Sequence, residues 1–130
     1  MKIQDMSNAI FDASNEDDVE RILLRRHDQG VNAFWLYHET RENPWLLILV
    51  KDQLANLNYF PDEEDHPGYA TISNIPSLPA DGYTVFFMNN PKEEEEVPND
   101  AIVPFADALA AAKEFLMSTA LPPSIEWFEL

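Results

Sequence analysis

Two stretches of the chain repeat their apolar residues at the spacing of an α-helix. In the first, Asn15 can cap a helix, and the carboxylates that follow it favour the positive end of the helix dipole. Its apolar stripe consists of Val19, Ile22 and Leu23. This pattern predicts an amphipathic helix over residues 15–28.

The second helical stretch begins at Pro104, whose missing N–H is not needed in the first turn of a helix. It is rich in alanine, which lets a helix lie close to a sheet, and the pair Pro122 and Pro123 ends it. Its predicted core-facing stripe comprises Phe105, Ala108, Leu109, Ala112, Phe115 and Leu116.

Three predicted strands follow one another between these helices. Residues 32–39 alternate between two faces and are rich in aromatics, and residues 40–44 are typical of a turn. Residues 45–50 are apolar without interruption, as expected for a central strand that is covered on both faces. Residues 54–60 place Ala55, Leu57 and Tyr59 on one face. The short connections predict an antiparallel meander.

Further strands are predicted at residues 68–73, 83–88 and 124–130, whereas residues 89–100 are predicted to form a polar, solvated loop. The order of elements is typical of an α+β fold. We expect a mainly antiparallel sheet of about five to six strands, with an N-terminal helix and a C-terminal Ala-rich helix packed on it. Because no repeat or boundary divides the chain, we expect one domain over residues 1–130.

Strong acidity adds a constraint on partners. The 130 residues include 24 acidic and 8 basic side chains, which gives a formal net charge of -16. Such a charge repels nucleic acid and anionic membranes and attracts basic surfaces, so we expect neither direct nucleic-acid binding nor membrane binding. The chain has no cysteine, and its longest apolar run, residues 45–50, is too short to cross a bilayer. We therefore expect a cytoplasmic protein without disulfides.

No motif in the sequence indicates catalysis. The chain has three glycines, too few for a phosphate-binding loop, and no G-x-S-x-G segment, so we predict neither enzyme activity nor a cofactor. His66 follows four carboxylates, but this run lacks the alternating spacing of a calcium loop, and we predict no metal site there. The aromatics near Trp35 and Phe86 alternate along strands, which indicates core packing rather than a ligand-binding wall.

Two acidic clusters remain as candidate partner-binding residues. Both interrupt the strand-rich middle of the chain, so both are predicted at loop tips. There their carboxylates could cover a cationic groove on a partner, in the place of nucleic-acid phosphates. The alternative is that both clusters serve solubility alone. The clusters consist of Asp62, Glu63, Glu64 and Asp65, and of Glu93, Glu94, Glu95 and Glu96.

One ordered series of elements extends over residues 45–130. A strand that ends in tyrosine precedes a glycine loop, a Val-Pro step into an alanine-rich helix, a proline pair and a closing strand that contains tryptophan. The matching residues are Leu57-Asn58-Tyr59-Phe60, Gly68-Tyr69, Val103-Pro104, Ala108, Ala111-Ala112, Glu114-Phe115-Leu116, Pro122-Pro123 and Ile125-Glu126-Trp127-Phe128-Glu129. In this order they resemble immunity-protein family one of bacterial polymorphic toxin systems, although Leu116 stands where that family has a second phenylalanine.

The resemblance implies that the chain binds and neutralises a cognate toxin domain, which in many such systems is a nucleic-acid deaminase or nuclease. An inhibitor of this kind needs a complementary surface but no catalytic residue. Two other hypotheses stay open: an acidic interaction module or nucleic-acid mimic without a toxin partner, and an enzyme that uses carboxylates such as Asp62 or Glu126 with a histidine. The exposed strand faces could also support a homodimer.

Overall fold

A computed structural model describes residues 1–38, 44–73 and 75–130. Residues 39–43 therefore lie outside the described ranges. They comprise the last residue of the first predicted strand and positions 40–43 of the predicted turn. The helices are α1 (Glu16–Leu23) and α2 (Phe105–Met117). The strands are β1 (Lys2–Asp5), β2 (Ile10–Asp12), β3 (Val31–Tyr37), β4 (Trp45–Lys51), β5 (Leu54–Phe60), β6 (Tyr69–Thr71), β7 (Tyr83–Phe87), β8 (Glu94–Pro98), β9 (Val103–Pro104) and β10 (Trp127–Glu129). The α+β class is confirmed.

The main sheet has the strand order β10-β6-β5-β4-β3-β1-β2, and the short β9 pairs with the start of β5. All of its pairings are antiparallel, and the predicted meander of β3, β4 and β5 is confirmed. Over the described ranges this sheet has eight strands, so the expected five to six was too few. The strands that the prediction omitted are mainly β1 and β2, which precede α1, and the short β9.

Both helices pack on one face of this sheet. Alternate residues of the meander point toward them, among them Phe34, Ile48 and Leu57, each with no exposed surface. Three buried alanines on the inner face of α2, with Phe115, let that helix approach the strands closely, as its composition predicts. Burying such apolar surface is the main stabilising contribution to a fold of this size.

The opposite face of the sheet is covered by an antiparallel hairpin made of β7 and β8. Phe86 and Phe87 of β7 pack there on Leu47 and Leu49 of β4, while the neighbouring residues of β4 face the helices. The prediction that β4 is covered on both faces is thus confirmed. The fold has three layers, in the order helices, sheet and hairpin.

Two local predictions were wrong. Residues 94–98 form β8 rather than part of a loop, because their backbone pairs with β7, which the sheet holds in place. The first helix ends at Leu23 instead of residue 28. The chain turns back there because the His27 N–H donates to the Val31 carbonyl, and the Asn32 side chain donates to the Arg25 carbonyl. No helix in the described ranges is long and apolar enough to cross a membrane.

Candidate partner-binding surface

The first acidic cluster, here called the loop cluster, consists of Asp62, Glu63, Glu64 and Asp65 and lies between β5 and β6. All four side chains are exposed, as predicted for a loop tip. Asp65 adopts a φ of 63°, which lies in the left-handed region and turns the chain back toward β6. The loop cluster therefore presents four carboxylates to solvent beyond one end of the sheet.

His66 fastens the base of this loop to β10. Its Nδ1 accepts from the Gly68 N–H at 2.8 Å, so Nε2 carries the proton of the neutral ring and donates to Glu129 Oε2 at 2.9 Å. The Tyr69 hydroxyl donates to the same oxygen at 3.1 Å, and its ring stacks on His66. These two hydrogen bonds lower the pKa of Glu129, while donating one of them to that carboxylate raises the pKa of Tyr69. With both ring nitrogens bonded, His66 is not free to join the loop cluster in binding a cation.

The other histidine and carboxylate side chains are the remaining candidates for a metal-binding group. Over the described ranges, no group of three or more histidine or carboxylate side chains is arranged to hold a metal ion. The histidines have separate partners: His27 lies 3.1 Å from an Asp5 oxygen, and His38 lies 2.8 Å from the Phe115 carbonyl oxygen.

Ser7 contacts the pair of His27 and Asp5, but the three side chains are not arranged for nucleophilic catalysis. The Ser7 hydroxyl donates to Asp5 at 2.6 Å, so the carboxylate stands between the serine and the histidine. A serine nucleophile needs the histidine in the middle, where it can take the hydroxyl proton. Burial opposes ionisation of Asp5, but hydrogen bonds from Ser7 and His27 outweigh it and lower its pKa. This group therefore acts as a buried structural contact.

The second acidic cluster, here called the strand cluster, consists of Glu93, Glu94, Glu95 and Glu96. Glu93 lies in the hairpin turn, where it accepts from the Asn89 side chain at 2.8 Å. The other three lie in β8 and are exposed, so the prediction of a loop tip was wrong for them. The loop cluster adjoins the main sheet and the strand cluster belongs to the hairpin, and no hydrogen bond or ion pair among the described residues joins the two.

Acidic and basic residues are distributed unevenly along the chain. From Asp52 onward there are fifteen acidic residues but only Lys92 and Lys113 as basic ones, whereas six basic residues precede Asp52. In the sheet, β10, β6 and β5 lie on one side and β3, β1 and β2 on the other. The part of the chain that forms β5 to β10 therefore carries most of the uncompensated negative charge. The net charge alone did not reveal this, but counting charges along the sequence could have.

The basic side chains do not neutralise either cluster. Over the described ranges, no ion pair includes a carboxylate of the loop cluster or the strand cluster. Arg25 and Arg26 instead lie over the rings of Phe11 and Phe105. Other basic side chains contact groups outside the two clusters, including Lys2 with Asp12, Arg21 with Asp18, Lys113 with Glu20, and Lys51 with the Val85 carbonyl.

An apolar hollow of about 280 Å³ lies on the hairpin side of the sheet, next to β10. Phe128 and Ile72 line it with 57% and 40% of their surface exposed, and Asp100 adds a carboxylate. Trp127 packs on the helix-side core and donates to the Pro122 carbonyl at 2.7 Å, so its neighbour Phe128 must point to the other face. Trp127 therefore anchors the last strand on the helix-side core, whereas the exposure of Phe128 was not predicted from the sequence.

The other aromatics were expected in the core, and most of them are there. Phe34, Tyr37, Phe86 and Phe87 are buried and Trp35 is half-buried, while Tyr83 is 66% exposed at the start of β7. A larger cavity, of about 570 Å³, lies beside the C-terminal end of α2. Its lining contains no histidine and is mainly apolar. The arrangement as a whole offers exposed carboxylates and a few exposed apolar side chains, which suits binding to another macromolecule.

Comparison with known proteins agrees with this picture. The family model described as immunity protein Imm1 matches residues 13–129, which is nearly the whole chain. No curated protein matches the chain.

Proposed function

The chain belongs to the Imm1 family of immunity proteins, and from this premise we propose that it binds a cognate bacterial toxin domain and neutralises it by covering the active site or substrate groove. The observation that carries this proposal is the family match, together with two exposed acidic clusters that no described basic side chain neutralises. An inhibitor with this role needs no catalytic residue.

The charge favours a toxin domain that acts on nucleic acid. Enzymes of this kind present a basic groove to the phosphates of their substrate. The loop cluster and the strand cluster would supply carboxylates in place of those phosphates, and the excess of negative charge would speed the encounter. Rapid association matters for an inhibitor that must capture each toxin molecule before it acts.

Affinity needs desolvated contacts besides charge, because exposed ion pairs contribute little on their own. Phe128 and Ile72 offer an apolar anchor next to the Asp100 carboxylate. We propose that this hollow takes a side chain of the toxin domain, while the two acidic clusters form the rim. Residues 1–130 would act as one domain in the cytoplasm of the producing cell.

The test is co-expression of this chain with the toxin domain encoded immediately upstream of its gene. We expect growth to be restored and a one-to-one complex to elute from a sizing column. An unrelated acidic protein of similar size and net charge serves as the control for non-specific attraction. Continued toxicity, or rescue by the control as well, would contradict the proposal and leave an acidic interaction module with another partner.

A further inference from the structure

The hydrogen bonds of the β7–β8 hairpin show which backbone groups face outward. At one end of the hairpin the Met88 N–H donates to the Glu93 carbonyl, and at the other end the Asn99 N–H donates to the Gly82 carbonyl. Gly82 precedes Met88 by six residues, and Asn99 follows Glu93 by six. In an antiparallel ladder, bonded and non-bonded pairs alternate. The bonded pairs between these two ends are therefore Phe86 with Glu95 and Thr84 with Val97.

The backbone N–H and C=O groups of Glu94 and Glu96 consequently point away from β7. Pro98 agrees with this phase, because it occupies the next outward position, where a missing N–H costs no hydrogen bond to β7. No described residue pairs with this outer edge of β8. The other edge of the hairpin is partly closed, since Lys51 Nζ donates to the outward carbonyl of Val85 at 3.3 Å.

An open strand edge invites pairing with another strand. Three consecutive glutamates make this edge repel a second copy of itself, but the same charges attract a basic strand. Side chains of a strand alternate between faces, so Glu94 and Glu96 lie on one face of β8 and Glu95 on the other. The terminal strands β2 and β10 have only three residues each and no such run of charge. The outer edge of β8 therefore fits an extended basic segment, and glutamates on both faces of the strand can meet the basic side chains of that segment.

We propose that a basic strand of the cognate toxin domain pairs with the outer edge of β8. Its main chain bonds the outward groups of Glu94 and Glu96, and its lysine or arginine side chains lie against the three glutamates of β8. This inference rests on the proposed function, because it takes the toxin domain as the partner. Main-chain pairing would supply affinity, and the charges would select the partner.

Two variants at one position separate backbone pairing from charge. Glu96→Pro removes both the charge and the outward N–H, without taking a hydrogen bond from β7, whereas Glu96→Gln removes the charge alone. The partner is the upstream-encoded toxin domain carrying an inactivating substitution, and calorimetry gives the dissociation constants. We expect Glu96→Pro to bind on the order of tenfold more weakly than Glu96→Gln. Thermal unfolding of both variants checks that the hairpin is intact.

Residue-resolved amide hydrogen exchange on the wild-type chain tests the same inference without any substitution. The amides of Glu95 and Val97 should be protected in the free protein, and those of Glu94 and Glu96 only in the complex. Equal affinities of the two variants, or unprotected Glu94 and Glu96 amides in a stable complex, would overturn the pairing while leaving the proposed function intact. Failure of the wild-type chain to bind the toxin domain would overturn both.

Discussion

Neutralising the exposed glutamates of β8 should slow the capture of the toxin domain. The variant carries Glu94→Gln, Glu95→Gln and Glu96→Gln, which changes the formal net charge from -16 to -13. Because these side chains are exposed and form no ion pair within the described ranges, their replacement should not lower the unfolding temperature. Relief of repulsion between neighbouring carboxylates should instead leave it equal or slightly higher.

The size of the effect follows from screened electrostatics. For unit charges about 6 Å apart in water at physiological salt, where the screening length is about 8 Å, each pair changes an association rate by roughly a factor of 1.5 to 2. Three glutamates in contact range of a basic partner should therefore give about a fivefold decrease. Carboxylates more than a screening length from the partner should contribute little.

Surface plasmon resonance or stopped-flow fluorescence measures the association rate at several salt concentrations. The matched control carries Glu16→Gln, Asp17→Asn and Asp28→Asn, which removes the same charge at exposed positions near α1. We expect the fivefold decrease only for the β8 variant, and we expect it to vanish at high salt. If both variants slow binding equally, the net charge and not the strand cluster steers association, and the reasoning fails.

Three further predictions concern the anchor, the third layer and acid stability. Phe128→Ser should weaken the complex about tenfold without changing the unfolding temperature. The control Leu24→Ser, at a similarly exposed position, should change neither the affinity nor the unfolding temperature. Equal effects of the two variants on affinity would contradict the role of Phe128 as an anchor. Phe86→Ala should lower the free energy of unfolding by about 3 to 5 kcal/mol in urea titrations, because Phe86 is fully buried under the hairpin; a loss below about 1 kcal/mol would contradict that packing. Asp5→Asn should cost about 1 to 2 kcal/mol near neutral pH. Since the folded-state pKa of Asp5 is lowered, the stability that its carboxylate contributes is complete above its ordinary pKa of about 4 and should disappear as the pH falls through the lowered value. A difference in the free energy of unfolding between wild type and Asp5→Asn that persisted at about pH 2 would contradict this assignment.

The predictions from sequence succeeded where an apolar period was long and clear. The run of β4 and the alternation of β5 have no competing interpretation, and β5 was predicted with its observed bounds. In contrast, β1 contains the buried polar residues Gln4 and Asp5, so its pattern does not look like a half-buried strand. Asp5 is paired with the nearby Ser7 and, through the fold, with His27. Gln4 donates to Asn8, while its buried Oε1 has no hydrogen-bond partner among the described residues.

The glutamates of β8 misled the prediction because like charges and low strand propensity favour a loop. Tertiary structure overrides that preference: β7 packs its phenylalanines on the sheet, and β8 pairs with β7 while its glutamates stay in water. A signal for this layer was present in β3, where Trp35 and Tyr37 alternate with Phe34 and Leu36, so that both faces are apolar. A strand of that kind needs cover on both sides.

For the candidate surface, the sequence identified the two acidic clusters but not their setting. Whether a strand edge is open depends on which strands pair, and the exposure of Phe128 depends on the face to which Trp127 is assigned. Neither follows from local composition. The role of the clusters in binding stays a prediction.

The most direct test of the central claim is a titration of the purified toxin domain with this chain while the activity of the toxin on its nucleic-acid substrate is measured. The account predicts that activity falls linearly and reaches zero at one molecule of this chain per toxin domain. Full activity of the toxin domain in the presence of a severalfold excess of the folded chain would contradict it.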